Sequence, residues 1–332
     1  MGKTDKISYK AKSAVLFIVF NRPDSTHKVF DQIRKARPSR LYVAADGPRF
    51  AQEGEEQLCK KTRSIVDKVD WDCEIHTLFR DKNLGCKKAV SSAINWFFNH
   101  EEEGIILEDD CLPSDSFFGF CDVLLDKYRN DARIRHISGC NFQQGQKWGD
   151  STYYFSNISH VWGWATWKRV WNEYDLALSN YSRHDAKRQF GNIYNDPMII
   201  DSWAEIFSQV KAGQINSWAY PLGFMNYFNN GLCIIPNENL VSNIGFGENA
   251  THTQNQDSLN ANIPLHEITE IKHPTSFVPE KQADEFSLSY EFNIAEKKRK
   301  QQLLRRRIKK WFKSLFVNHR VEHEAHSQVS SV

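Results

Sequence analysis

The sequence predicts an α/β protein in which a parallel sheet is flanked by helices. Two observations lead to this prediction. Short apolar, β-branched runs alternate with amphipathic helical patterns in the first third of the chain. The 332 residues are 40% hydrophobic and 25% charged, with 16 Gly and 10 Pro, a globular composition that excludes disordered, collagen-like and coiled-coil classes. The length corresponds to two domains, or to one large α/β unit with an appended segment.

The predicted elements alternate along the chain. Strands are predicted at residues 14–20, 41–45, 72–78 and 104–107, and helices near residues 25–35, 53–69 and 86–98. The first helix places Val29, Phe30 and Ile33 on one face, as an amphipathic helix on a sheet requires. Repeated βα units produce parallel strands, and ligands of such sheets bind beyond the carboxyl ends of the strands.

The residues at these strand ends are polar. They are Asn21 to Asp24, Asp46 to Arg49, Arg80 to Gly85 and Glu108 to Asp110. We expect the four segments to meet in one crevice. Neither the G-x-G-x-x-G dinucleotide fingerprint nor the G-x-x-x-x-G-K-[ST] P-loop occurs, so a different mode of nucleotide binding is required.

Three consecutive acids, Glu108, Asp109 and Asp110, follow the fourth strand directly. Like charges so close together cost free energy unless a cation neutralises them. Mg²⁺ or Mn²⁺ binds carboxylate oxygens and keeps positions open for substrate phosphates. The triplet therefore predicts a divalent metal site. The alternative is an acidic turn that caps the next helix, since Ser114 and Asp115 lie nearby.

The C-terminal segment predicts a basic amphipathic helix over residues 295–316. Leu304, Ile308, Trp311 and Leu315 recur at helical spacing. Residues 296–313 hold ten basic residues and one acid, and the rest of the chain is acidic because the whole chain carries only +2. Basic helices with aromatic anchors bind anionic membrane surfaces. A solvated tail or a nucleic-acid patch is the alternative, and the aromatic stripe favours lipid.

Cysteine usage and the N-terminus predict a cytoplasmic protein. The seven cysteines form no C-x-x-C pair and are expected to be reduced. The longest N-terminal apolar run, residues 14–20, is too short for a membrane span and lacks a cleavage site. Together with the basic helix, this predicts a protein peripheral to the inner face of the membrane.

Six motifs carry a resemblance to a known family. They are F-N-R-P-D (20–24), A-D-G-P-R (45–49), N-L-G-C-K-K (83–88), G-I-I-L-E-D-D-C (104–111), V-W-G-W-A-T-W (161–167) and S-N-I-G-F-G-E-N-A-T-H-T (242–253). In kind and order they resemble the bacterial nucleotide-diphospho-sugar transferases, sometimes labelled hemolytic-protein-like. The acidic triplet is similar to that of eukaryotic N-acetylglucosaminyltransferases with E-D-D in place of D-x-D.

The resemblance implies a GT-A fold, a Rossmann-like mixed sheet flanked by helices. It implies a catalytic domain over residues 1–270, with a nucleotide-sugar half at 14–140 and an acceptor half at 141–270. Residues 271–294 are then expected to be a linker that precedes the basic helix, and residues 317–332 a disordered tail.

The resemblance also implies roles for individual residues. Asp46 reads the uracil edge, although an Asp-Gly pair also forms ordinary turns. Asp110 is the direct metal ligand, and His252 returns to the metal or diphosphate. The remaining donor-binding residues are Asn21, Arg22, Arg80, Asn83, Glu108 and Asp109, with Arg80 donating to phosphate or to Asp110.

The acceptor half is expected to supply an aromatic wall and a general base. Tryptophans crowd residues 162–171, and Trp164 is expected to face the sugar while the others pack in the core. Family members carry an acid beside the tryptophan of a D-T-W-D-like stretch, where this chain has Asn216 to Ala219. Asp201 and Glu248 are therefore the substitute candidates for the base.

These predictions combine into one function. A metal-dependent, inverting glycosyltransferase would move a sugar from a nucleoside diphosphate, UDP, to a glycan or lipid-linked acceptor in surface polysaccharide synthesis, and no nucleic acid is expected as a partner. Two alternatives stay open. A nucleotidyltransferase would share the crevice and the metal, and a non-catalytic, membrane-associated nucleotide-sugar binder would account for the missing base.

Overall fold

The computed structural model describes residues 9–246, 260–261 and 263–309, and in this part of the chain helices flank an eight-stranded mixed sheet. The strands are β1 (Ala14–Val19), β2 (Arg40–Ala45), β3 (Glu74–Phe79), β4 (Glu103–Glu108), β5 (Cys111–Pro113), β6 (Ile134–Ser138), β7 (Tyr153–Ser156), β8 (Trp164–Trp167), β9 (Leu232–Pro236) and β10 (Val241–Asn243). The helices are α1 (Pro23–Ala36), α2 (Glu55–Arg63), α3 (Cys86–Phe98), α4 (Phe117–Tyr128), α5 (Lys168–Trp171), α6 (Arg183–Phe190), α7 (Pro197–Lys211), α8 (Ala219–Phe228) and α9 (Lys281–Glu291). The predicted α/β fold with a mixed sheet flanked by helices is confirmed.

The first half of the sheet is parallel and follows the predicted βα repeats. Its strand order is β3-β2-β1-β4, with Val15 paired with Leu41 on one side and with Ile105 on the other. β1 is buried along its whole length, as a fully apolar strand between two helical layers must be. Because β2 and β4 lie on opposite sides of β1, the strand order reverses there, and a crevice opens at such a switch point.

The second half of the sheet mixes strand directions. β8 pairs antiparallel with β4 and β6, β6 pairs parallel with β9, and β7 closes the edge antiparallel to β9. β5 and β10 form a separate antiparallel ribbon that starts directly after the acidic triplet. The ribbon brings residues 241–246 back to the end of β4.

An aromatic cluster packs helices α6, α7, α8 and α9 together outside the sheet. Phe190 stacks on Trp203 and on Phe207, and Trp203 meets Phe292 edge-on at 5.0 Å between ring centroids. Large aromatic side chains bury much apolar area, so this cluster holds the four helices to one another.

The expected linker is instead largely part of the folded body. Within residues 271–294, α9 buries Ala283, Asp284 and Leu288 against its surroundings. The Asp284 carboxylate accepts hydrogen bonds from Ser156 and Asn157 at the end of β7. Apolar residues at helical spacing pack this segment onto the protein, and its polar composition concealed them.

A last helix covers residues 294–309. Its first turns touch α7, where Lys297 donates to Ser202 and Lys298 pairs with Asp196. Farther along, Leu303, Leu304 and Ile308 are exposed. Residues 310–316 of the predicted basic helix and the predicted tail lie outside the described residues. In the ranges that the structure describes, no helix combines the length and the apolarity needed to cross a membrane.

Candidate functional site

A cavity of about 770 Å³ opens at the carboxyl ends of β1, β2 and β4. One side is formed by the polar strand ends, including Arg22, Asp46 and the acidic triplet, and the other by residues 158–162, 215–220 and α8. The volume lies within the range of small-molecule and cofactor sites. The strand-end segments that the sequence predicted to converge, Asn83 and Arg80 among them, do line one cavity.

The acidic triplet lies at the floor of this cavity. Asp109 accepts a hydrogen bond from the backbone N–H of Phe20 at 3.1 Å, which ties the end of β4 to the end of β1. Burial and the neighbouring Asp110 raise the pKa of Asp109 to about 7. Burial, Asp110 and Asp109 together raise the pKa of Glu108 to about 8. These shifts show that the negative charge of the three carboxylates is incompletely compensated.

Arg22 is the cation nearest to the triplet. Its Nη1 atom lies 2.9 Å from Asp110 Oδ2 and 3.5 Å from Asp109 Oδ1. Burial opposes the charge of Arg22, but Asp109, Asp110 and Glu108 together outweigh burial and raise its pKa. Arg22 directly precedes α1, so the helix start fixes its place in the cavity.

The β10 ribbon covers Asp110 from the other side. The backbone N–H of Ile244 donates to the Asp110 carbonyl at 2.8 Å, and Gly245 packs on the Asp110 side chain. A Cβ at position 245 would lie 2.4 Å from Asp110 Oδ2, a distance that real contacts do not allow. Glycine is therefore required there for Asp110 to keep its present position.

Asp46 holds the loop that follows β3. Its carboxylate accepts backbone N–H groups from Gly47, Leu84 and Gly85 at 2.9 to 3.1 Å. Asn83 adds a hydrogen bond from its side chain to the Gly47 carbonyl. A Cβ on Gly47 would lie 2.4 Å from the Lys82 backbone, so the two loops touch. Asp46 thus lines the cavity and also fixes its wall.

Arg80 does not reach Asp110. Its Nη2 atom donates to Ser92 Oγ on α3 at 2.8 Å, and burial lowers its pKa. Over the residues that the structure describes, no carboxylate lies within ion-pair distance of Arg80, although its side chain lines the cavity. Of its two predicted roles, donation to a phosphate is the one that this position permits.

Asn21 contacts a residue that the sequence analysis did not identify. It donates to the buried carboxylate of Glu55 at 2.9 Å, and Arg49 pairs with the same carboxylate. The hydrogen bonds from Arg49 and Asn21 outweigh burial and lower the pKa of Glu55. Asn21 therefore braces the turn after β1. The residue pattern around Glu55 is that of an ordinary helix start and gave no signal for this role.

Trp164 is not a sugar-facing residue in this structure. It is fully buried, stacks on His136 at 5.0 Å and packs against Trp218. Its indole N–H has no hydrogen-bond partner among the described residues. Trp162, which meets Phe142 edge-on at 4.9 Å, lines the cavity instead. The prediction for Trp164 is wrong because β8 turns that side chain into the core.

Asp201 is also placed away from the site. It lies on the exposed face of α7 and pairs with Lys187 at 2.5 Å. Its neighbour Trp203 lines the cavity. Residues two apart on a helix differ in direction by about 200°, so Asp201 points away from the cavity that Trp203 lines. Asp201 cannot serve as the base, and Glu248 and His252 lie outside the described residues.

One acid of the cavity wall was missed by the sequence analysis. Glu291, the last residue of α9, lines the cavity beside Trp203 and Tyr227. It falls in the segment expected to be a linker. Leu288 and Phe292, four residues apart and buried, are the signal that could have indicated a packed helix here.

Among the residues that the structure describes, the cavity offers a divalent metal carboxylates but no complete shell of protein ligands. In the described ranges no group of three His, Cys, Asp or Glu side chains is arranged to hold one. Mg²⁺-type sites often need only one or two carboxylates, with phosphate and water completing the shell. Asp110 beside Asp109 and Glu108 meets that need, and the raised pKa values of the latter two show uncompensated negative charge. The residues therefore fit such an ion.

Comparisons with known proteins give weak structural likenesses. No protein-family model and no curated protein sequence matches the chain. The mannosyltransferase PcManGT from Pyrobaculum calidifontis, solved with GDP-Man and Mn²⁺, is 12% identical, with 67% of this chain and 70% of that chain covered and a TM-score of 0.37. TarS 1-349 from S. aureus is 10% identical, covering 69% of this chain and 59% of that chain at a TM-score of 0.38. A UDP-glucose pyrophosphorylase solved with UDP-glucose is 12% identical. The likeness covers 44% of this chain and 62% of that chain at a TM-score of 0.25. Likeness at this level does not establish a shared family or activity.

Proposed function

We propose that this protein is a metal-dependent glycosyltransferase that moves a sugar from a nucleoside diphosphate donor, UDP, to a glycan or lipid-linked acceptor. One observation carries the proposal: the acidic triplet and Arg22 meet at the floor of a cavity at the switch point between β1 and β4. The six motifs, which resemble those of nucleotide-diphospho-sugar transferases, support the same activity and a GT-A catalytic domain.

The donor would lie across the strand ends. Arg22 and Arg80 supply guanidinium donors to the diphosphate, since both line the cavity. Asp46 already accepts three backbone N–H groups, and a carboxylate has about four acceptor positions. The Leu84 N–H reaches both carboxylate oxygens, so it can stay on one of them and leave a position on the other for the uracil N–H. The bonds from Leu84 and Gly85 keep the loop at residues 80–85 in place.

The cation would be held at Asp110, with Asp109 and Glu108 adding negative charge around it. Mn²⁺ or Mg²⁺ there would neutralise the departing diphosphate. Arg22 shares Asp110 and Asp109 when the donor is absent. We expect the guanidinium to turn toward the diphosphate when the donor binds, because the phosphates carry more charge than one carboxylate.

The acceptor would enter on the opposite side of the cavity. Trp162 and Trp218 line that side, and aromatic rings stack well on the apolar faces of sugars. We extend the proposed acceptor half, residues 141–270, by α9, because Glu291 of that helix lines the cavity. The helix over residues 294–309 exposes Leu304 and Ile308 among basic side chains, which supports the proposed membrane-surface partner.

A panel of nucleotides tests the proposal. The melting temperature of the full chain is measured with UDP, GDP and CDP, each with and without Mn²⁺. A ligand at 100 times its Kd stabilises a protein by about 2.7 kcal/mol. We expect the melting temperature to rise by the amount that corresponds to this stabilisation when UDP and Mn²⁺ are both present. With UDP alone or Mn²⁺ alone, the rise should be much smaller. No Mn²⁺-dependent shift with any nucleoside diphosphate would contradict the proposal.

Product analysis separates the two alternatives. A glycosyltransferase releases UDP from a UDP-sugar. A nucleotidyltransferase joins UTP to a sugar phosphate and releases pyrophosphate from the UTP. A non-catalytic binder does neither while retaining nucleotide affinity. Asp201 pairs with Lys187 on the exposed face of α7 and does not line the cavity, which is the observation that favours the binder. Whether another acid serves as the base therefore decides between the two.

A further inference from the structure

The acceptor side of the cavity contains one described acid that is separate from the strand ends. This acid is Glu291, and the other lining acids are Asp46, Glu108, Asp109 and Asp110. Glu291 ends α9, which is held on the sheet by the hydrogen-bonded carboxylate of Asp284. A packed helix therefore fixes its backbone.

Glu291 differs from Asp284 and Glu55, two structural acids, because no partner for it lies among the residues that the structure describes. Asp284 on the same helix receives three hydrogen bonds, and Glu55 receives bonds from Arg49 and Asn21. Within residues 9–246, 260–261 and 263–309, no hydrogen bond or ion pair reaches Glu291. Because its side chain is exposed in the cavity and not held in a structural pair by a described residue, the Glu291 carboxylate is available to a ligand there.

The surroundings of Glu291 are aromatic. Tyr220 and Tyr227 of α8 and Trp203 of α7 line the same part of the cavity. Glu291 keeps accessible surface although protein atoms surround it, as expected for a side chain that faces a cavity. Gly223 lines the wall as well, and a Cβ there would meet nothing within 4 Å, so space for a ligand remains.

We propose that Glu291 is the general base that accepts the proton of the acceptor hydroxyl, an inference that rests on the proposed glycosyltransferase function. The hydroxyl oxygen bonds to the anomeric carbon of the donor while its proton passes to the Glu291 carboxylate. The bond between the anomeric carbon and the diphosphate oxygen breaks, and its electron pair leaves with the nucleoside diphosphate. The protonated Glu291 then returns its proton to water.

The ionisation of Glu291 suits this role. The protein atoms packed around Glu291 raise its pKa to about 7, although its side chain stays accessible from the cavity. A base whose pKa lies near the working pH is the most effective. The titratable groups that face it are Tyr220 and Tyr227, and burial, the largest cause, raises the pKa of each. Both tyrosines remain protonated around neutrality. His160, also in the cavity wall, is a poor base because burial lowers its pKa to about 3.

The test uses the full chain with Mn²⁺ and three donors, UDP-glucose, UDP-galactose and UDP-N-acetylglucosamine, with water as the acceptor. Release of UDP is compared between wild type, Glu291→Gln and Glu296→Gln. Glu296 is the matched control, because it lies near the same helix end but pairs with Lys300 and Asn293 outside the cavity. Affinity for UDP with Mn²⁺ and the melting temperature are measured for each protein.

We expect Glu291→Gln to lower UDP release by about 100-fold, the usual contribution of a general base. Its UDP affinity and melting temperature should remain those of wild type, and Glu296→Gln should be unchanged throughout. Glu291→Asp should retain part of the activity. The wild-type rate should rise with pH through about 7, and Glu291→Gln should lack that rise.

Each contrary result has its own meaning. Undiminished UDP release by Glu291→Gln overturns the role of Glu291 and leaves the proposed function standing. Loss of UDP affinity in that variant also overturns it, because a donor-binding or structural role would then explain the effect. A wild-type protein that binds no nucleotide overturns the proposed function, and one that binds UDP but releases none from the three donors overturns the assignment of a base.

Discussion

The guanidinium of Arg22 donates to Asp110 Oδ2 at 2.9 Å and lies 3.5 Å from Asp109, so one cation serves two consecutive carboxylates. One positive charge cannot neutralise the three carboxylates. The raised pKa values of Glu108 and Asp109 indicate the negative charge that is left uncompensated. The floor of the cavity thus has an excess of negative charge beside a guanidinium that can donate to phosphate. This combination suits a ligand that brings a metal and a diphosphate together.

Replacing Asp110 with alanine should abolish the Mn²⁺ dependence of UDP binding. We expect the affinity for UDP with Mn²⁺ to fall by about tenfold or more, because the acid proposed to hold the cation is lost. The fold should persist, since relief of charge repulsion offsets the loss of the Arg22 pair. Calorimetric titration of UDP with and without Mn²⁺ measures the effect.

Asp115→Ala is the matched control for this variant. Asp115 is an exposed acid that pairs with Lys35 and does not line the cavity. Its removal should leave both the affinity and its metal dependence unchanged. If Asp110→Ala bound UDP with the wild-type response to Mn²⁺, the assignment of Asp110 to the metal would be wrong.

Two neighbouring tryptophans should respond differently to replacement. Trp164→Ala should reduce the free energy of unfolding by about 3–5 kcal/mol, because it empties a fully buried position beside His136. Trp162→Ala should destabilise less and weaken the binding of a UDP-sugar. Urea unfolding and calorimetry with UDP-glucose measure the two effects. The opposite pattern would show that Trp164 faces the ligand.

The strand and helix periods allowed most of the donor half to be predicted. The bounds of α3 are those predicted from its apolar stripe. The strand predicted at 41–45 is one residue short at its start, and the strand predicted at 104–107 is one residue short at each end. The polar strand ends could be located because parallel strands share one carboxyl edge. Their partners could not, since Arg80 meets Ser92 only through the packing of α3.

The acceptor half was predicted less well for two physical reasons. In the run at residues 161–167 the point where β8 begins determines which indole enters the core, and composition does not fix that point. α9 carries few apolar residues, and the burial of Asp284 depends on Ser156 and Asn157, which are far away in sequence. Only the tertiary structure brings Glu291 to the cavity.

Stability should fall as the pH rises through the titration of Asp284. Burial is the largest influence and raises the pKa of this carboxyl to about 6, despite hydrogen bonds from Ser156 and Asn157 that favour its charged form. The folded state therefore holds the proton more tightly than the unfolded state. The resulting stabilisation is complete below about pH 4 and is lost by about pH 6 to 7.

Asp284→Asn isolates this contribution. The variant should be less stable overall because the amide cannot accept all three hydrogen bonds, but its loss of stability between pH 4 and 7 should be smaller than that of wild type. Urea unfolding at pH 4, 5, 6 and 7 gives the change of stability with pH for each of the two proteins. Equal slopes for the two proteins would show that Asp284 titrates normally.

Removing residues 301–332 should separate membrane binding from folding. The cut preserves the contacts of Lys297 with Ser202 and of Lys298 with Asp196, which attach the start of the helix to α7. It removes Leu304 and Ile308, which are exposed and bury no core surface. We expect a folded protein with unchanged UDP affinity and no sedimentation with anionic vesicles, here phosphatidylglycerol and phosphatidylcholine in equal amounts.

The double variant Leu304→Glu/Ile308→Glu tests the apolar contribution within the full chain. Interfacial binding combines apolar burial with about 1 kcal/mol for each basic residue near an anionic surface, and salt screens only the second. The variant should therefore bind vesicles weakly at low salt and not at 0.5 M NaCl, where wild type retains part of its binding.

Equal sedimentation of the truncated and full-length proteins would refute the membrane role, and preference of the full chain for RNA over vesicles would favour a nucleic-acid surface. Unfolding of the truncated protein would show instead that residues 301–332 pack against the body, with their apolar side chains covered by protein rather than lipid.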